Sequence, residues 1–405
     1  MICGLLGKTL GHSYSPYIHT FLGDYSYSLF EKQPDELADF LKHGDFTGLN
    51  VTMPYKKDVI PLCDKLTDCA QILGAVNTIV RQKDGSLLGH NTDYFGFQSM
   101  LKRTGLSVSG KKVLVLGSGG ASATAVVVLQ ESGADVVVIS RSGQNNYENI
   151  QLHSDAAVIV NATPVGMYPN AGNSPVDLSG FSKLEGILDI VYNPARTRLM
   201  LDAEAMGIPV ENGLWMLVAQ AKEASERFTG NQIGDSVIAD VHSALRKKME
   251  NIVLIGMPGC GKSTIGKLLA EETGKTFVDM DAEIERASGM QIPDIFAKFG
   301  EEHFRKLETE TLAQFGQKSG LVIATGGGCV TRGENHSLLH QNGTIYWIKR
   351  DISSLPTDGR PLSQSGKLNE MYFIRKPLYE RFADMVITNN STPQQAAAEI
   401  AKGWL

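Results

Sequence analysis

The sequence predicts an α/β protein built on parallel sheets, in two successive parts. The first observation is that short, continuously apolar segments alternate with helix-like segments over residues 111 to about 212, and again from Asn251 onward. Strands of a parallel sheet are apolar along their whole length because helices cover both faces of the sheet. The second observation is a glycine-rich loop at the first strand-to-helix junction of each series, at residues 117–122 and 256–263. Together they predict two α/β regions in one chain.

The composition is that of a globular protein that binds small molecules. The 405 residues suffice for two or three domains, and 42% hydrophobic with 20% charged residues is typical of folded globular chains. A formal net charge of −6 argues against a nucleic-acid partner, which requires a basic surface. No apolar run approaches the roughly 20 residues of a membrane helix, so we expect no membrane partner. The sequence does not indicate an oligomeric state.

The cysteines and the N-terminus favour a cytoplasmic location. The five cysteines are odd in number and form no Cys-x-x-Cys pair, which disfavours a disulfide framework and a zinc site. The first residues, MICGLLGKTLGHS, lack the basic start and the long apolar core of a secretory signal.

Short strands mixed with helices are predicted before the first parallel series. Residues 48–53 are expected to form a strand that stops before Pro54. Residues 74–80 and 87–93 are expected to form a hairpin, with Asp84 and Gly85 as turn residues.

These patterns predict two domains. The first covers residues 1–248, with one lobe of about residues 1–100 plus the C-terminal helices and a second lobe of about residues 101–212. The second domain covers residues 249–405, because a new apolar strand starts almost directly after a helical stretch.

The first glycine loop, GSGGAS, follows the apolar strand KKVLVL and opens a helix. This context is that of a Rossmann-like dinucleotide site, in which the helix N-terminus receives a pyrophosphate. NAD-binding folds place an acidic residue at the end of the next strand, whereas this chain has Ser140, Arg141 and Ser142. A guanidinium and two hydroxyls favour the 2′-phosphate of NADP. The alternative is a solvated arginine at a strand end.

Two charged residues upstream are candidates for proton transfer. Lys56 follows NVTMPY and Asp93 lies in GHNTD. A lysine and an aspartate that meet can move a proton to or from an alkoxide during hydride transfer. Taken singly, Lys56 fits a surface lysine better than a catalyst, and Asp93 fits a helix N-cap before YFGFQSML.

Eight blocks in residues 1 to about 245 resemble shikimate dehydrogenase. They are GxxxxHSxSPxxH, NVTxPxK, GAVNT, GxNTDxxG, GxGGA, NATPxGM, DxxYxPxxT and NGxxMLxxQ, in this order. The resemblance implies reduction of 3-dehydroshikimate to shikimate with NADPH, with Lys56 and Asp93 as the acid/base pair. It also implies that Ser13 and Ser15 hold the substrate carboxylate.

The same resemblance implies further site residues. The substrate pocket is implied to contain Thr52, Asn77, Tyr192 and Gln220. The residues implied to lie along NADP are Gly117, Ser118, Gly119, Gly120, Ala121, Ser140, Arg141, Ser142, Thr163, Gly213 and Met216.

The chain departs from the family pattern at two places. The cluster Ser140, Arg141, Ser142 stands where Asn-Arg-Thr with a further basic residue is usual, which predicts modest NADP affinity. The segment from Thr20 to Phe30 is also shorter than usual. Ser15, where relatives that prefer quinate carry threonine, favours shikimate as substrate.

The second glycine loop, GMPGCGKST, fits the P-loop pattern G-x-x-x-x-G-K-[ST] between a strand and a helix. The pattern predicts that loop N–H groups bind the phosphates of ATP, that Lys262 reaches the β/γ oxygens and that Ser263 ligates Mg²⁺. The predicted nucleotide contacts are Gly259, Cys260, Gly261, Lys262, Ser263 and Thr264. Cys260 is expected to be a small tolerated residue and not a nucleophile.

Two carboxylates follow in TFVDMD. Alternation along a strand is expected to place Asp279 and Asp281 on one side, facing the loop, as a Mg²⁺ partner and a base for an acceptor hydroxyl. The alternative is a pair of helix-cap carboxylates before AEIERA. Arg305, Arg360 and Arg375 are candidates for binding carboxylate or phosphate.

This half resembles shikimate kinase. The blocks GxxGxGKST, DxD with EIE, GEExFRxxE, TGGG, RPL and RxPLYE recur in order over residues 251–405. The resemblance implies phosphorylation of the 3-hydroxyl of shikimate, with Asp281 holding that hydroxyl and Asp279 helping to hold Mg²⁺. It implies that Arg305, Arg375 and the backbone of Gly326, Gly327 and Gly328 bind substrate. Arg360 would lie on a lid and stabilise the transferring group.

One departure concerns the stretch before Arg360. Residues 353–359 are shortened and lack the arginine that usually covers adenine, so Arg350 or another group takes its place or ATP binds less tightly.

The two resemblances predict a bifunctional enzyme, because the product of the first reaction is the substrate of the second. One alternative is a quinate/shikimate dehydrogenase with broader acceptor use. The other is a kinase-like domain that binds ATP as a non-catalytic sensing or assembly module.

Overall fold

A computed structural model of the chain describes residues 1–11, 13–355 and 368–405. The chain divides into two compact units. The first consists of Met1–Tyr192 and Thr197–Leu245, and the second of Asn193–Arg196 and Arg246–Leu405. The predicted α/β class with parallel sheets is confirmed in both units.

The first unit begins with a mixed six-stranded sheet in the order β2-β1-β3-β5-β6-β4. Its strands are β1 (Ile2–Gly7), β2 (Ser26–Glu31), β3 (Gly48–Val51), β4 (Lys65–Leu66), β5 (Thr78–Arg81) and β6 (Leu87–His90). The helices between them are α1 (Ser15–His19), α2 (Leu37–His43) and α3 (Asp68–Leu73). The predicted hairpin is confirmed, since β5 and β6 pair antiparallel and Gly85 takes a positive φ of 86° in the turn.

The first unit then forms a parallel five-stranded sheet in the order β11-β10-β9-β7-β8. Its strands are β7 (Lys112–Leu116), β8 (Asp135–Ile139), β9 (Val158–Asn161), β10 (Gly186–Asp189) and β11 (Val210–Asn212). Successive residues of β7 enter two different cores, Val113 and Val115 on one face and Leu114 and Leu116 on the other. Both faces of the strand are therefore buried, which explains its unbroken apolar sequence.

Five helices complete the first unit and the junction with the second. They are α4 (Asp93–Thr104), α5 (Gly120–Glu131), α6 (Arg198–Ala205), α7 (Leu214–Thr229) and α8 (Ser236–Met249). Helix α8 extends through residue 248, where the domain boundary is predicted, and the next strand begins at Asn251.

The second unit contains a parallel five-stranded sheet in the order β13-β14-β12-β15-β16. Its strands are β12 (Asn251–Ile255), β13 (Thr276–Asp279), β14 (Leu321–Ala324), β15 (Gly343–Lys349) and β16 (Met385–Thr388). Central strand β12 is buried over its whole length. Its carboxyl end opens into the P-loop, the edge at which open α/β sheets bind ligands.

Six helices cover that sheet: α9 (Lys262–Thr273), α10 (Met280–Ser288), α11 (Ile292–Gly316), α12 (Glu334–His340), α13 (Leu368–Phe382) and α14 (Pro393–Ala401). Helix α11 is kinked at Gly300, whose φ of +82° is outside the helical range. Among the described residues, none of the helices has the length and apolar content needed to span a membrane.

Candidate active sites

A cavity of about 240 Å³ in the first unit collects most of the residues predicted to bind substrate. It is lined by strand ends of the mixed sheet, by the start of α4 and α5, and by α7. The predicted residues on its wall are Ser13, Ser15, Thr52, Lys56, Asn77, Asp93, Ala121, Tyr192, Gly213, Met216 and Gln220.

Lys56 and Asp93 meet in this cavity. The Lys56 Nζ donates to Asp93 Oδ2 at 2.7 Å, with side chains 30% and 16% exposed. Asp93 is the first residue of α4, while the N-cap position belongs to Thr92. The ion pair therefore holds a proton donor and a proton acceptor together in reach of a ligand.

Asn77 is fixed by hydrogen bonds from neighbouring residues. Its Oδ1 accepts from the Thr92 backbone N at 2.7 Å, from Thr92 Oγ1 at 3.2 Å and from Thr78 Oγ1 at 3.1 Å. Gln220 Oε1 lies 3.3 Å from Thr92 Oγ1 and is an alternative acceptor for the single proton of that hydroxyl. With its oxygen occupied, the amide of Asn77 offers its NH₂ group to a ligand oxygen.

The predicted carboxylate-binding serines lie at the start of α1. Ser15 is the first residue of this helix, and its backbone N donates to Ser13 Oγ at 3.2 Å.

Tyr192 enters the cavity from the loop after β10, and burial raises the pKa of its phenol. At neutral pH this phenol is therefore protonated and can act as a hydrogen-bond donor.

The first glycine loop forms an open cradle beside this cavity. Gly117 has a φ of +108°, and a side chain there would press on Thr163 at 3.0 Å. Added Cβ atoms at Gly119 and Gly120 would meet nothing within 4 Å, which leaves the N-terminus of α5 accessible. These features fit a pyrophosphate bound at the helix N-terminus.

The predicted 2′-phosphate cluster lies in the turn after β8. The Ser140 backbone N donates to the Asn145 carbonyl at 3.1 Å, which closes the turn. Arg141 and Ser142 are exposed. Their side chains are therefore available to an anionic ligand at the surface.

The sequence analysis missed several residues of the first site. Asn50, Leu5, Val51, Ile190 and Leu217 line the cavity without having been assigned a role. Asn50 belongs to the quoted block NVTxPxK, which was the available signal. Val51 in the same block and Leu217 in the block NGxxMLxxQ carried this signal too, whereas Leu5 and Ile190 carried none, because an apolar residue in a strand or loop predicts only burial.

A cavity of about 480 Å³ lies at the carboxyl end of the sheet of the second unit. Predicted residues on its wall include the P-loop, both aspartates and two arginines. They are Gly259, Gly261, Lys262, Ser263, Thr264, Asp279, Asp281, Arg305, Gly326, Gly327, Gly328 and Arg375.

Lys262 is curled over the P-loop. Its Nζ donates to the carbonyls of Gly256 at 2.9 Å and Met257 at 3.1 Å, and the residue is 8% exposed. Gly261 takes a φ of +104° and approaches Asn389 closely, since a Cβ there would lie 2.6 Å from Nδ2. Cys260 is fully buried, which agrees with a tolerated small residue.

The prediction that Asp279 and Asp281 share one side of a strand is wrong. Strand β13 ends at Asp279, and Asp281 lies in the first turn of α10. Asp279 caps this helix, because its Oδ1 accepts from the Asp281 backbone N at 3.1 Å, while its Oδ2 accepts from Ser263 Oγ at 2.6 Å. Both carboxylates nevertheless line the cavity. The turn from β13 into α10 places them there, and not the alternation of side chains along a strand.

The Asp281 carboxyl lines the cavity and has a shifted pKa. Burial raises the pKa of its carboxyl, while Lys262 lowers it. A Cβ on Gly326 would lie 2.8 Å from Asp281 Oδ1, so glycine at this position leaves the carboxylate uncovered.

The two described arginines are fixed by protein partners. Arg305 Nη1 donates to Glu308 Oε2 at 2.8 Å, and its Nη2 donates to Glu301 Oε1 at 3.1 Å. A Cβ on Gly328 would lie 2.2 Å from Arg305 Nη2, so the guanidinium lies directly on this glycine. Arg375 Nη1 donates to the Gly327 carbonyl at 3.1 Å.

Arg360 lies outside the described residues, as does most of the shortened stretch before it. Arg350 lines the cavity, with Nη1 3.5 Å from the carbonyl of Gly259. It is thus placed to contribute to the nucleotide end, as the sequence analysis allowed.

The missed residues of the second site are Pro258, Ile292, Phe296, Phe304, Glu308, Thr325, Asn389 and Pro393. Glu308 is the last residue of the quoted block GEExFRxxE, so of these residues it was the easiest to predict from the sequence. It is 1% exposed, and its Oε1 has no hydrogen-bond partner among the described residues.

Comparison with protein families matches both halves of the chain. The model of the shikimate dehydrogenase substrate binding domain matches residues 5–79, and the model of shikimate kinase matches residues 258–403.

Curated relatives and solved structures match the first part. The shikimate dehydrogenase (NADP(+)) of Clostridium perfringens strain 13 is 34% identical, over 60% of this chain and 97% of the relative. That of Caldicellulosiruptor bescii is 38% identical, over 54% of this chain and 86% of the relative. The crystal structure of shikimate 5-dehydrogenase from Thermus thermophilus in complex with NADP(H) and shikimate superposes with a TM-score of 0.55 and 32% identity, covering 60% of this chain and 98% of that chain.

Proposed function

Because this chain belongs to the shikimate dehydrogenase family and carries a shikimate kinase domain at residues 258–403, it is an oxidoreductase and a kinase, and we propose that its units catalyse consecutive reactions. The first reaction converts 3-dehydroshikimate, NADPH and a proton into shikimate and NADP⁺. The second converts shikimate and ATP into shikimate 3-phosphate, ADP and a proton. We assign them to residues 1–248 and 249–405.

The Lys56–Asp93 ion pair beside the glycine loop is the observation that carries the first reaction. NADPH, when bound, supplies a hydride to the carbonyl carbon. Lys56 gives a proton to the carbonyl oxygen as it becomes an alcohol, and Asp93 holds the ammonium in place. Ser13, Ser15 and Asn77 orient the ring through its carboxylate and hydroxyls.

In the second unit, Asp281 accepts the proton of the 3-hydroxyl as that oxygen is phosphorylated. ATP, when bound, supplies the γ-phosphoryl group. Lys262 and the loop N–H groups neutralise the phosphate charge, and Arg305 with Arg375 hold the substrate carboxylate. Ser263 and Asp279 offer a hydroxyl and a carboxylate to Mg²⁺, both oxygen ligands of the kind it prefers.

Two assays on the purified protein test this proposal. NADPH oxidation with 3-dehydroshikimate and ADP formation from ATP, Mg²⁺ and shikimate are each expected. Lys56→Ala is expected to abolish the first activity alone, and Lys262→Ala the second alone. The exposed lysines Lys57 and Lys267 give matched alanine controls.

Three outcomes would contradict the proposal. Loss of both activities in either variant would exclude independent sites. ATP binding without ADP formation in the presence of shikimate would make the second unit a non-catalytic module. A kcat/KM for quinate equal to that for shikimate would exclude a dedicated shikimate dehydrogenase.

A further inference from the structure

A buried carboxylate lies behind the first active site without lining it. Asp189 is the last residue of β10, and Asn161 is the last residue of the adjacent parallel strand β9. The two are register partners, and both are 0% exposed. They lie at the carboxyl edge of the sheet, next to the strand that leads into the glycine loop.

One branch of hydrogen bonds runs from Asp189 toward the cofactor loop. Asn161 Nδ2 donates to Asp189 Oδ1 at 2.9 Å. The other end of the same amide, Asn161 Oδ1, accepts from Thr163 N at 3.1 Å and Thr163 Oγ1 at 2.7 Å. Thr163 in turn packs against Gly117 of the glycine loop.

The other branch runs toward the substrate cavity. The Val191 backbone N donates to Asp189 Oδ1 at 3.0 Å, and Thr197 Oγ1 donates to Oδ2 at 2.6 Å. Val191 lies between Ile190 and Tyr192, which both line the cavity. The carboxylate therefore holds the backbone from which the Tyr192 side chain projects.

A carboxylate suits this position because it must accept from three donors on three chain segments. An ionised carboxyl group carries only acceptors, whereas an amide of the same shape presents two donors on one side. Burial raises the pKa of Asp189 to about 7, because its three hydrogen bonds offset only part of the cost of removing the charge from water.

We propose that Asp189 is a positioning residue that sets the cofactor loop and the substrate loop at a fixed spacing through Asn161–Thr163 and Val191–Tyr192. This inference rests on the proposed reduction of 3-dehydroshikimate, since hydride transfer requires the two ligands to be aligned. A displacement of about 1 Å in such a site costs on the order of 100-fold in rate.

The test compares Asp189→Ala with Asn161→Ala in steady-state reduction of 3-dehydroshikimate by NADPH. Asp189→Ala removes the acceptor of both branches, so both KM values are expected to rise and kcat to fall, each about tenfold. Asn161→Ala removes only the cofactor branch, so only the KM for NADPH is expected to rise. Asp202→Asn, on a solvent-exposed ion pair with Arg198, is the control and is expected to change neither KM.

The phosphorylation of shikimate by the same variants reports on the integrity of the chain and is expected to stay unchanged. Asp189→Ala protein that folds and retains both KM values would overturn the inference. So would a rise in the substrate KM of Asn161→Ala equal to that of Asp189→Ala. If Asp189→Ala does not fold, an unchanged KM for NADPH in Asn161→Ala is by itself enough to overturn the inference. Wild-type protein without NADPH-dependent reduction would instead refute the proposed function.

Discussion

The functional lysines of the two units are held in opposite ways. Lys56 is 30% exposed and forms an ion pair with Asp93 at 2.7 Å. Lys262 is 8% exposed and donates to two backbone carbonyls, those of Gly256 and Met257. A lysine beside a carboxylate is arranged to exchange a proton, whereas a lysine among carbonyls keeps its charge for a phosphate. These two surroundings fit the proton transfer proposed for Lys56 and the charge neutralisation proposed for Lys262.

The aspartates of the two sites, Asp93 and Asp281, also differ in their contacts with lysine. Asp93 Oδ2 accepts a hydrogen bond from the Lys56 ammonium of the first unit. Among the described residues, no lysine is hydrogen-bonded to the Asp281 carboxylate, and burial raises the pKa of its carboxyl. The comparison predicts that each aspartate matters only to the reaction of its own unit.

The largest expected effect is that of Asp281→Asn on phosphorylation. Removing the base should lower kcat about 10²- to 10⁴-fold and leave the reduction of 3-dehydroshikimate unchanged. Initial rates of ADP and NADP⁺ formation measure both effects. The matched control is Glu271→Gln, an exposed carboxylate on α9. An equal loss of phosphorylation kcat in Asp281→Asn and Glu271→Gln would show that Asp281 is not the base.

Asp93→Asn should lower the kcat of reduction about 10²-fold while leaving phosphorylation intact, because Lys56 loses its ionic partner. Asp58→Asn, an exposed neighbour of the lysine in sequence, serves as control. A variant that retains wild-type kcat would show that the ion pair is structural only.

A third prediction concerns the acid stability of the first unit. His19 is 1% exposed and stacks on Tyr27 with ring centroids 3.9 Å apart, and burial lowers its pKa to about 3. The unfolded chain takes up a proton below about pH 6.5 while the folded unit does not, so the histidine destabilises the fold as pH falls. Between pH 7.5 and pH 5 this amounts to about 2 kcal/mol of unfolding free energy.

The measurement must isolate the contribution of His19, because Asp189 changes the unfolding free energy with pH in the opposite direction. Its raised pKa of about 7 makes the fold lose stability as pH rises from about 4 to 7. We expect the change in unfolding free energy between pH 7.5 and pH 5 to differ by about 2 kcal/mol between wild type and His19→Asn. Reduction activity that survives a denaturant challenge reports on this unit. His43→Asn, on an exposed helix face, should behave as wild type, and identical pH responses of all three proteins would refute the prediction.

Glycine substitutions provide a fourth, smaller test in both units. A Cβ on Gly328 would lie 2.2 Å from Arg305 Nη2, and one on Gly213 would lie 2.0 Å from the Ile190 carbonyl. Each alanine variant should raise the substrate KM of its own unit about tenfold, since a binding group must move. Gly333→Ala and Gly234→Ala, where a Cβ meets nothing closer than 3.8 Å, are the controls. Equal KM values in variant and control would show that the neighbouring group adapts.

The smallest effect is expected for Arg141→Ala. An exposed guanidinium gains up to about 1 kcal/mol from an ionic contact, so the KM for NADPH should rise about fivefold and that for NADH should not. The difference should shrink at high salt. Arg198→Ala, an exposed arginine of the same lobe, is the control. An equal rise in the KM for NADH would show that Arg141 does not bind the 2′-phosphate.

The sequence by itself determined the fold class, both glycine loops and the identity of most charged site residues. A short, continuously apolar segment such as Val113–Leu116 indicates a strand buried on both faces. The loops need glycine at positions such as Gly117 and Gly261, where φ is positive. These are local constraints, and local constraints are visible in a linear pattern.

Only the tertiary structure decided which residues meet. Lys56 and Asp93 are 37 residues apart, and nothing in their spacing fixes the 2.7 Å contact. Asp281 reaches its cavity from a helix and not from the strand that alternation suggested. Asp189 gains its three donors from segments that fold around it. Hydrogen bonds and ion pairs act over about 3 Å in space, so distance along the chain does not predict them.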